Sequence, residues 1–259
     1  GTCYKWVIDR DVDVNGDGVV NEKDLQRTAL LQNGDFRSEE SIEILKECDI
    51  VVTNPPFSIF REYIAQLVEH NKKFLVIGNF NAITAKELFP LIKNNKMWIG
   101  MSPRSMDFIQ PDKSIKKVNA CWFTNLEHNK RNEKVILYKK YIDSEYTNYD
   151  NYDAINVNKV NDIPADYDGV MGVPITFLEK YNPNQFEIVA LGVGLDNFTP
   201  NKEYINPKKH MTNGKVIGGG AMNYQLSIGS DLIPDGTYYT SDNSNYLTAP
   251  YARILIKKK

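Results

Sequence analysis

A parallel, doubly wound α/β sheet over roughly residues 1–140, followed by a mixed, β-rich region over 141–259, is the architecture this sequence predicts. Three observations carry it. Short apolar runs alternate with amphipathic stretches through the first half, the order expected of strand–helix–strand units. The apolar run Asp49-Ile50-Val51-Val52-Thr53 is β-branched and reads as a buried parallel strand. After Tyr141 the helical periodicity fades, and Asn, Asp, Tyr and Gly take over between short strand-like runs.

In order, residues 4–9 read as a strand and Asp9 to Asp24 as a turn-rich acidic segment dense in Asn-Gly and Asp-Gly. Ser38 is placed to cap a helix, with Glu39 and Glu40 in its first turn and Ile42, Leu45 and Cys48 at helical spacing. The strand 49–53 stops at Asn54-Pro55-Pro56-Phe57. Phe60 to His70 follows as an amphipathic helix, Phe74 to Gly78 as a buried strand and Thr84 to Lys93 as a second helix. Met97 to Gly100 and Ala120 to Thr124 complete the strands of the first half; Phe186 to Leu191, Lys215 to Ile217 and Ala252 to Lys257 are strands of the second.

At 259 residues the chain can bury one large core or two smaller ones. Its 42% hydrophobic and 25% charged residues are those of a globular protein. A net charge of -2 gives no molecule-wide field, so any contact with nucleic acid must come from local basic patches. Cys3, Cys48 and Cys121 form no CxxC pair and indicate neither a zinc knuckle nor a disulfide framework, which fits a reducing, cytoplasmic setting. No apolar run approaches the roughly 18 residues of a membrane span.

The tetrapeptide Asn54-Pro55-Pro56-Phe57 carries the chemistry. In doubly wound sheets ligands bind beyond the carboxyl ends of the strands. Two prolines there fix φ and present rigid carbonyl acceptors. The Asn54 side-chain oxygen and the Pro55 carbonyl are suited to hold both hydrogens of an exocyclic amine, whose lone pair, otherwise delocalised into its ring, then points at a methyl donor. Phe57 supplies an aromatic face on which a base swung out of a duplex can stack. The same tetrapeptide serves methylation of adenine in DNA, of RNA bases, or of a protein amide, and these readings stay open at this point.

The run TNPPFSIFREYIAQLVEHNKKFLVIGNFNAIT (53–84), preceded by NGDFRSEESIEILKECDIVV, resembles the EcoRI-type family of DNA adenine methyltransferases. The resemblance continues through CWFTNLEH (121–128) and GVPITFLEKYNPNQFEIVALG (172–192). It implies a Rossmann-like methyltransferase sheet, S-adenosylmethionine as methyl donor, and a restriction-modification system in which a flipped-out adenine of double-stranded DNA is modified at N6. It also implies that Asn54, Pro55, Pro56 and Phe57 form the catalytic motif, and that Asp35 and Phe36 touch the adenine of the cofactor, with a turn or helix-capping aspartate as the second reading of Asp35. Trp122 or Phe123 is expected at the opposite wall of the base pocket, or else in the core. Cofactor loops upstream of the motif are missing from the sequence, which therefore reads as N-terminally shortened; Gly192-Val193-Gly194 is the weaker, permuted candidate for them.

Arg104 is a candidate base reader, and Lys116, Lys117, Lys130 and Arg131 are candidate phosphate contacts. The β-rich region 141–259, rich in Tyr and Asn, is the candidate target-recognition region, with 1–140 as a partial catalytic domain. Asp13, Asn15, Asp17, Val19, Asn21 and Asp24 follow a calcium-loop spacing, with Gly18 where such a loop turns, so Ca2+ is a second candidate ligand against a plain solvated turn. Outside enzymes, the competing reading is a DNA- or calcium-binding module without catalysis.

Overall fold

A computed structural model describes residues 2–101, 104–194 and 198–259. The chain opens with β1 (Tyr4–Val7), and β2 (Gln26–Ala29) pairs with it antiparallel as a separate ribbon. Helix α1 (Glu39–Glu47) starts where expected, because the Ser38 side chain accepts the Ser41 N–H and the first turn is acidic. Then come β3 (Ile50–Thr53), a 3-10 turn over Phe57–Ile59, α2 (Phe60–Glu69) and β4 (Lys73–Asn79). Together they form one β–α–β unit, with β3 and β4 parallel in register Thr53↔Val76.

The expected helix over 84–93 resolves into a 3-10 turn, Phe80–Thr84, and a short α3 (Phe89–Lys93). Pro90, lacking an N–H, fits only the first turn of a helix and fixes where α3 begins. After β5 (Trp98–Ile99), the strands β6 (Met106–Ile109) and β7 (Ile115–Val118) form a hairpin, and β8 (Ala120–Thr124) returns to the sheet.

The first sheet has the order β3-β4-β8-β5. Strand β8 runs antiparallel to both β4 and β5, so the sheet is mixed rather than wholly parallel. Nor is β3 buried: it is an edge strand whose Val52 is 63% exposed, and α1 buries no residue against it. The core lies on the other face. There Phe60, Ile64 and Leu67 of α2 meet Phe74 and Val76 of β4, and each such side chain contributes about 1.5–3 kcal/mol of burial.

The second half is strand-rich. It contains β9 (Thr147–Asn148), β10 (Ile155–Asn156), β11 (Met171–Pro174) and β12 (Phe186–Leu191). There follow β13 (Lys208–His210), β14 (Val216–Gly218), β15 (Ile228–Ser230), β16 (Tyr238–Ser241), β17 (Ser244–Thr248) and β18 (Arg253–Lys258). The last strand returns to the middle of a sheet ordered β12-β18-β11-β10-β9, while β14-β13-β16-β17-β15 form a separate antiparallel sheet. One apolar cluster runs from Phe60 and Phe123 through Phe177 and Phe186 to Ile256, so the two halves share a core across residue 140.

The glycine pair at 192 and 194 serves packing. A side chain at Gly192 would collide with Leu226, and both glycine amides are taken by main-chain carbonyls, of Arg253 and Tyr224. Asp196 and Asn197, which follow that glycine pair, lie outside the described residues. Among the described residues no helix is long and apolar enough to cross a membrane.

Candidate active site

Asn54 stands directly beyond the carboxyl end of β3, with Pro55 buried beneath it. The two proline carbonyls differ in what remains to them. That of Pro56 accepts the Ile59 N–H at 3.1 Å and closes the 3-10 turn. Among the described residues neither the Pro55 carbonyl nor the exposed Asn54 side chain has a hydrogen-bond partner. Two acceptors are therefore left at a strand tip, fixed by the ring of Pro55 and by Phe60, which is buried against Phe123 at 5.0 Å between ring centroids. Phe57, half-buried, meets Phe108 of the β6–β7 hairpin edge to face at 6.3 Å.

The Gly34–Phe36 loop lies along α2, the helix that begins just after the motif. Phe36 packs edge to face on Tyr63 at 5.1 Å, and its carbonyl accepts from the Gln66 amide at 3.0 Å. Gly34, at φ +71°, makes the turn, and its bare Cα lies against Cys3. Asp35 is gripped by Arg37: Oδ1 accepts the Arg37 backbone N–H and Nε, each at 2.9 Å, and Oδ2 accepts Nη2 at 2.8 Å. This side-chain pairing holds its carboxyl at about 2, well below the usual range. Of roughly four lone-pair positions on a carboxylate, three are used, which leaves room on Oδ2 for one further donor.

Of the two candidate pocket walls, Phe123 has no exposed surface, and Trp122, on the opposite face of β8, is half-buried. Arg104 pairs with Glu179 at 2.8 Å and lies 5.9 Å from the Phe80 ring, which ties the root of the hairpin to the turn after β4. Lys116 and Lys117 are exposed on β7. Lys130 lines a cleft of about 370 Å3 with Lys134, Lys180 and Tyr138.

Arg131 departs from expectation. It is 8% exposed, lies 3.7 Å from the Trp98 ring and donates to Asn95 at 3.0 Å, so most of its guanidinium braces the interior and little of it faces solvent. Burial lowers the affinity of its guanidinium for the proton.

The calcium expectation finds no support either. The acidic loop satisfies itself: Asp13 accepts the amides of Gly16 and Gly18, Asp17 that of Val19, and Asp24 those of Val14, Asn15 and Asn21. Those bonds, led by the one from Asn21, hold the Asp24 carboxyl below its usual range. Among the described residues no three acidic, His or Cys side chains gather as a metal site.

One feature gives no sequence signal. A cleft of about 620 Å3 opens between the Phe80–Thr84 turn and the second sheet, lined by Asn81, Thr84, Asn158, Tyr251 and Arg253. Its members lie up to 172 positions apart, from Asn81 to Arg253, and meet only through the fold. Arg253 is fixed there by Asn156 at 3.2 Å and by the Tyr251 carbonyl at 3.1 Å.

Comparison with known proteins adds to this geometry. The family model described as "Adenine-specific methyltransferase EcoRI" matches residues 1–259. The Type II methyltransferase M.EcoRI of Escherichia coli is 49% identical over 193 residues, covering 67% of this chain and 59% of that protein. M.MgeORF184P of Mycoplasma genitalium is 42% identical over 184 residues (63% of this chain, 58% of the relative), and M.MpnI of Mycoplasma pneumoniae 39% over 188 (64% and 59%). These alignments thus span about three-fifths of the curated relatives' length. No solved structure matches.

Proposed function

The chain belongs to the EcoRI family of adenine-specific methyltransferases, and from that premise we propose that it methylates adenine N6 in double-stranded DNA as part of a restriction-modification system in the cytoplasm. The observation that carries the reading is the pair of unengaged acceptors, the Asn54 side chain and the Pro55 carbonyl, at the carboxyl end of a parallel strand. We read the β3-β4-β8-β5 sheet as part of a Rossmann-like methyltransferase sheet, supported by its β–α–β unit and by the position of the motif.

Adenine's exocyclic nitrogen is a poor nucleophile because its lone pair is delocalised. Asn54 and Pro55 each take one amine hydrogen, which favours a tetrahedral nitrogen and frees the lone pair for in-line attack. Because the acceptors are fixed before the base arrives, little reorganisation is needed when charge develops on nitrogen. No general base is required ahead of bond formation: as the N–C bond forms the methyl–sulfur bond would break, the sulfur leaving as a neutral thioether, and the surplus proton on nitrogen would pass to water afterwards. Phe57 offers a stacking face worth roughly 1–3 kcal/mol, of the same order as the few kcal/mol that extrusion of a base costs. Trp122, the more accessible of the two aromatics on β8, is proposed for the opposite wall.

The residues fit the adenine end of S-adenosylmethionine: Asp35 retains one acceptor position, and Phe36 is a half-buried ring held by Tyr63. When bound, that group supplies an electrophilic methyl on a sulfonium. The duplex would lie across the carboxyl ends of β3 and β4, with Arg104, Lys116 and Lys117 beside it and the region after Tyr141 facing the target sequence, while Lys130, which follows β8 at the amino end of β4, lies at the far end of that sheet. Incubation of the intact protein with duplex DNA and isotopically labelled S-adenosylmethionine, followed by nucleoside analysis, tests the reading. Label in N6-methyldeoxyadenosine supports it; label only in methylated cytosine, in RNA or in protein overturns it.

A further inference from the structure

We propose that the β6–β7 hairpin is a wedge that enters the duplex beside the target adenine, with the side chains of Ile109 and Ile115 filling the space the extruded base leaves. The inference rests on the base-flipping reading above and assigns the residues that would do the opening.

Four observations carry it. First, the hairpin is attached to the motif itself. Phe108 meets Phe57 edge to face at 6.3 Å, and at the other root the Phe80 N–H, just beyond β4, donates to the Asn119 carbonyl at 3.1 Å. The hairpin thus rises from the same end of the sheet as Asn54.

Second, Ile109 and Ile115 are directly opposite each other, the last cross-strand pair before the turn, and are 79% and 70% exposed. Strand alternation sets them on the face opposite Phe108, which faces the motif. Facing each other across the ribbon, the two isoleucines gain only about 0.2–1 kcal/mol from their own pairing, and they leave apolar surface at the tip that a contact would cover.

Third, the turn is stiff. The Gln110 amide donates to the Ser114 carbonyl and the Lys113 amide to the Gln110 carbonyl, both at 2.8 Å, while Asp112 accepts from the Ser114 amide at 2.9 Å and from its hydroxyl at 2.6 Å. A wedge must hold its shape against base stacking. Fourth, the flanking charge suits a phosphate backbone: Lys113 at the tip and Lys116 and Lys117 on β7, against Asp107 opposite Lys117 and the turn-bound Asp112. A two-stranded ribbon has the width of the major groove, and inserted aliphatic side chains are a known physical means of unstacking a base step.

The test uses the intact protein and a duplex bearing the site mapped by N6-methyladenine sequencing of DNA it has modified, with 2-aminopurine replacing the target adenine. The Ile109→Ala/Ile115→Ala variant is expected to bind the fully paired duplex roughly tenfold more weakly and to lose most of the fluorescence rise that reports extrusion. On the same duplex with an abasic site opposite the target, where little unstacking remains to be done, its affinity is expected within about twofold of the parent. The Ile109→Leu/Ile115→Leu variant, which keeps apolar volume, is expected to recover the fluorescence. Equal losses on both duplexes, no loss on either, or no recovery with leucine would each overturn the wedge. A parent protein that neither binds nor methylates DNA would instead remove the functional reading beneath it.

Discussion

At the scale of single residues, the site is a matter of which lone pairs remain free. Asp35 spends three of about four acceptor positions on Arg37 and is held at about 2 by that pairing. With its folded value depressed, whatever the pair adds to stability is present above the ordinary 3.8 and lost as pH falls from there toward 2. A carboxyl titration followed by NMR is expected to find Asp35 ionising near 2 in the parent and distinctly higher in Arg37→Ala, though still below 3.8 because the backbone N–H of residue 37 continues to donate to it. An unchanged Asp35 in that variant would show that the guanidinium is not the cause.

At the scale of elements, the support for the motif is the contact between α2 and β4. Gly78 is there because a Cβ at that position would sit 2.5 Å from the Phe60 ring. Gly78→Ala is therefore expected to cost about 1–3 kcal/mol in urea unfolding, and Phe60→Ala about 3–5 kcal/mol. In the Phe60→Ala background the alanine at 78 is expected to cost far less, because the two sites are coupled through one ring. Additive losses would contradict that coupling.

The elements also show how much the sequence disclosed. The Ser38 cap, α2, β4, β8 and β12 were legible because their signals are local: a capping side chain, a 3.6-residue stripe, a short run of β-branched or aromatic residues. The asparagine-proline motif was legible for the same reason. Sheet order was not, since nothing in Ala120 to Thr124 says that this strand will enter between β4 and β5 in the reverse direction. Composition overstated the burial of β3, because Ile50 and Val52 have the same letters at an edge as in a centre. Arg131 looked like a surface charge and proved internal because Trp98, 33 positions away, offers it a ring face. The acidic loop resembled a cation site because backbone amides and a metal ion ask for oxygens at similar spacing.

At the scale of the whole molecule, a net charge of -2 means that affinity for DNA must be built locally. Lysines that touch phosphate release counterions, so Lys116→Ala and Lys117→Ala are each expected to lower the slope of log affinity against log salt by about one. An unchanged slope would remove β7 from the interface. What joins the molecule to its proposed chemistry is that the shared core presents Asn54 and Pro55, without hydrogen-bond partners among the described residues, at the end of the first sheet. The most direct measurement is single-turnover methylation by Asn54→Ala in the intact protein, alongside its affinity for the same duplex. The rate is expected to fall by roughly 100- to 1000-fold, as when one preorganised partner of a developing charge is removed, while affinity stays within about threefold. A parallel fall in both, or a rate left intact, would contradict the account.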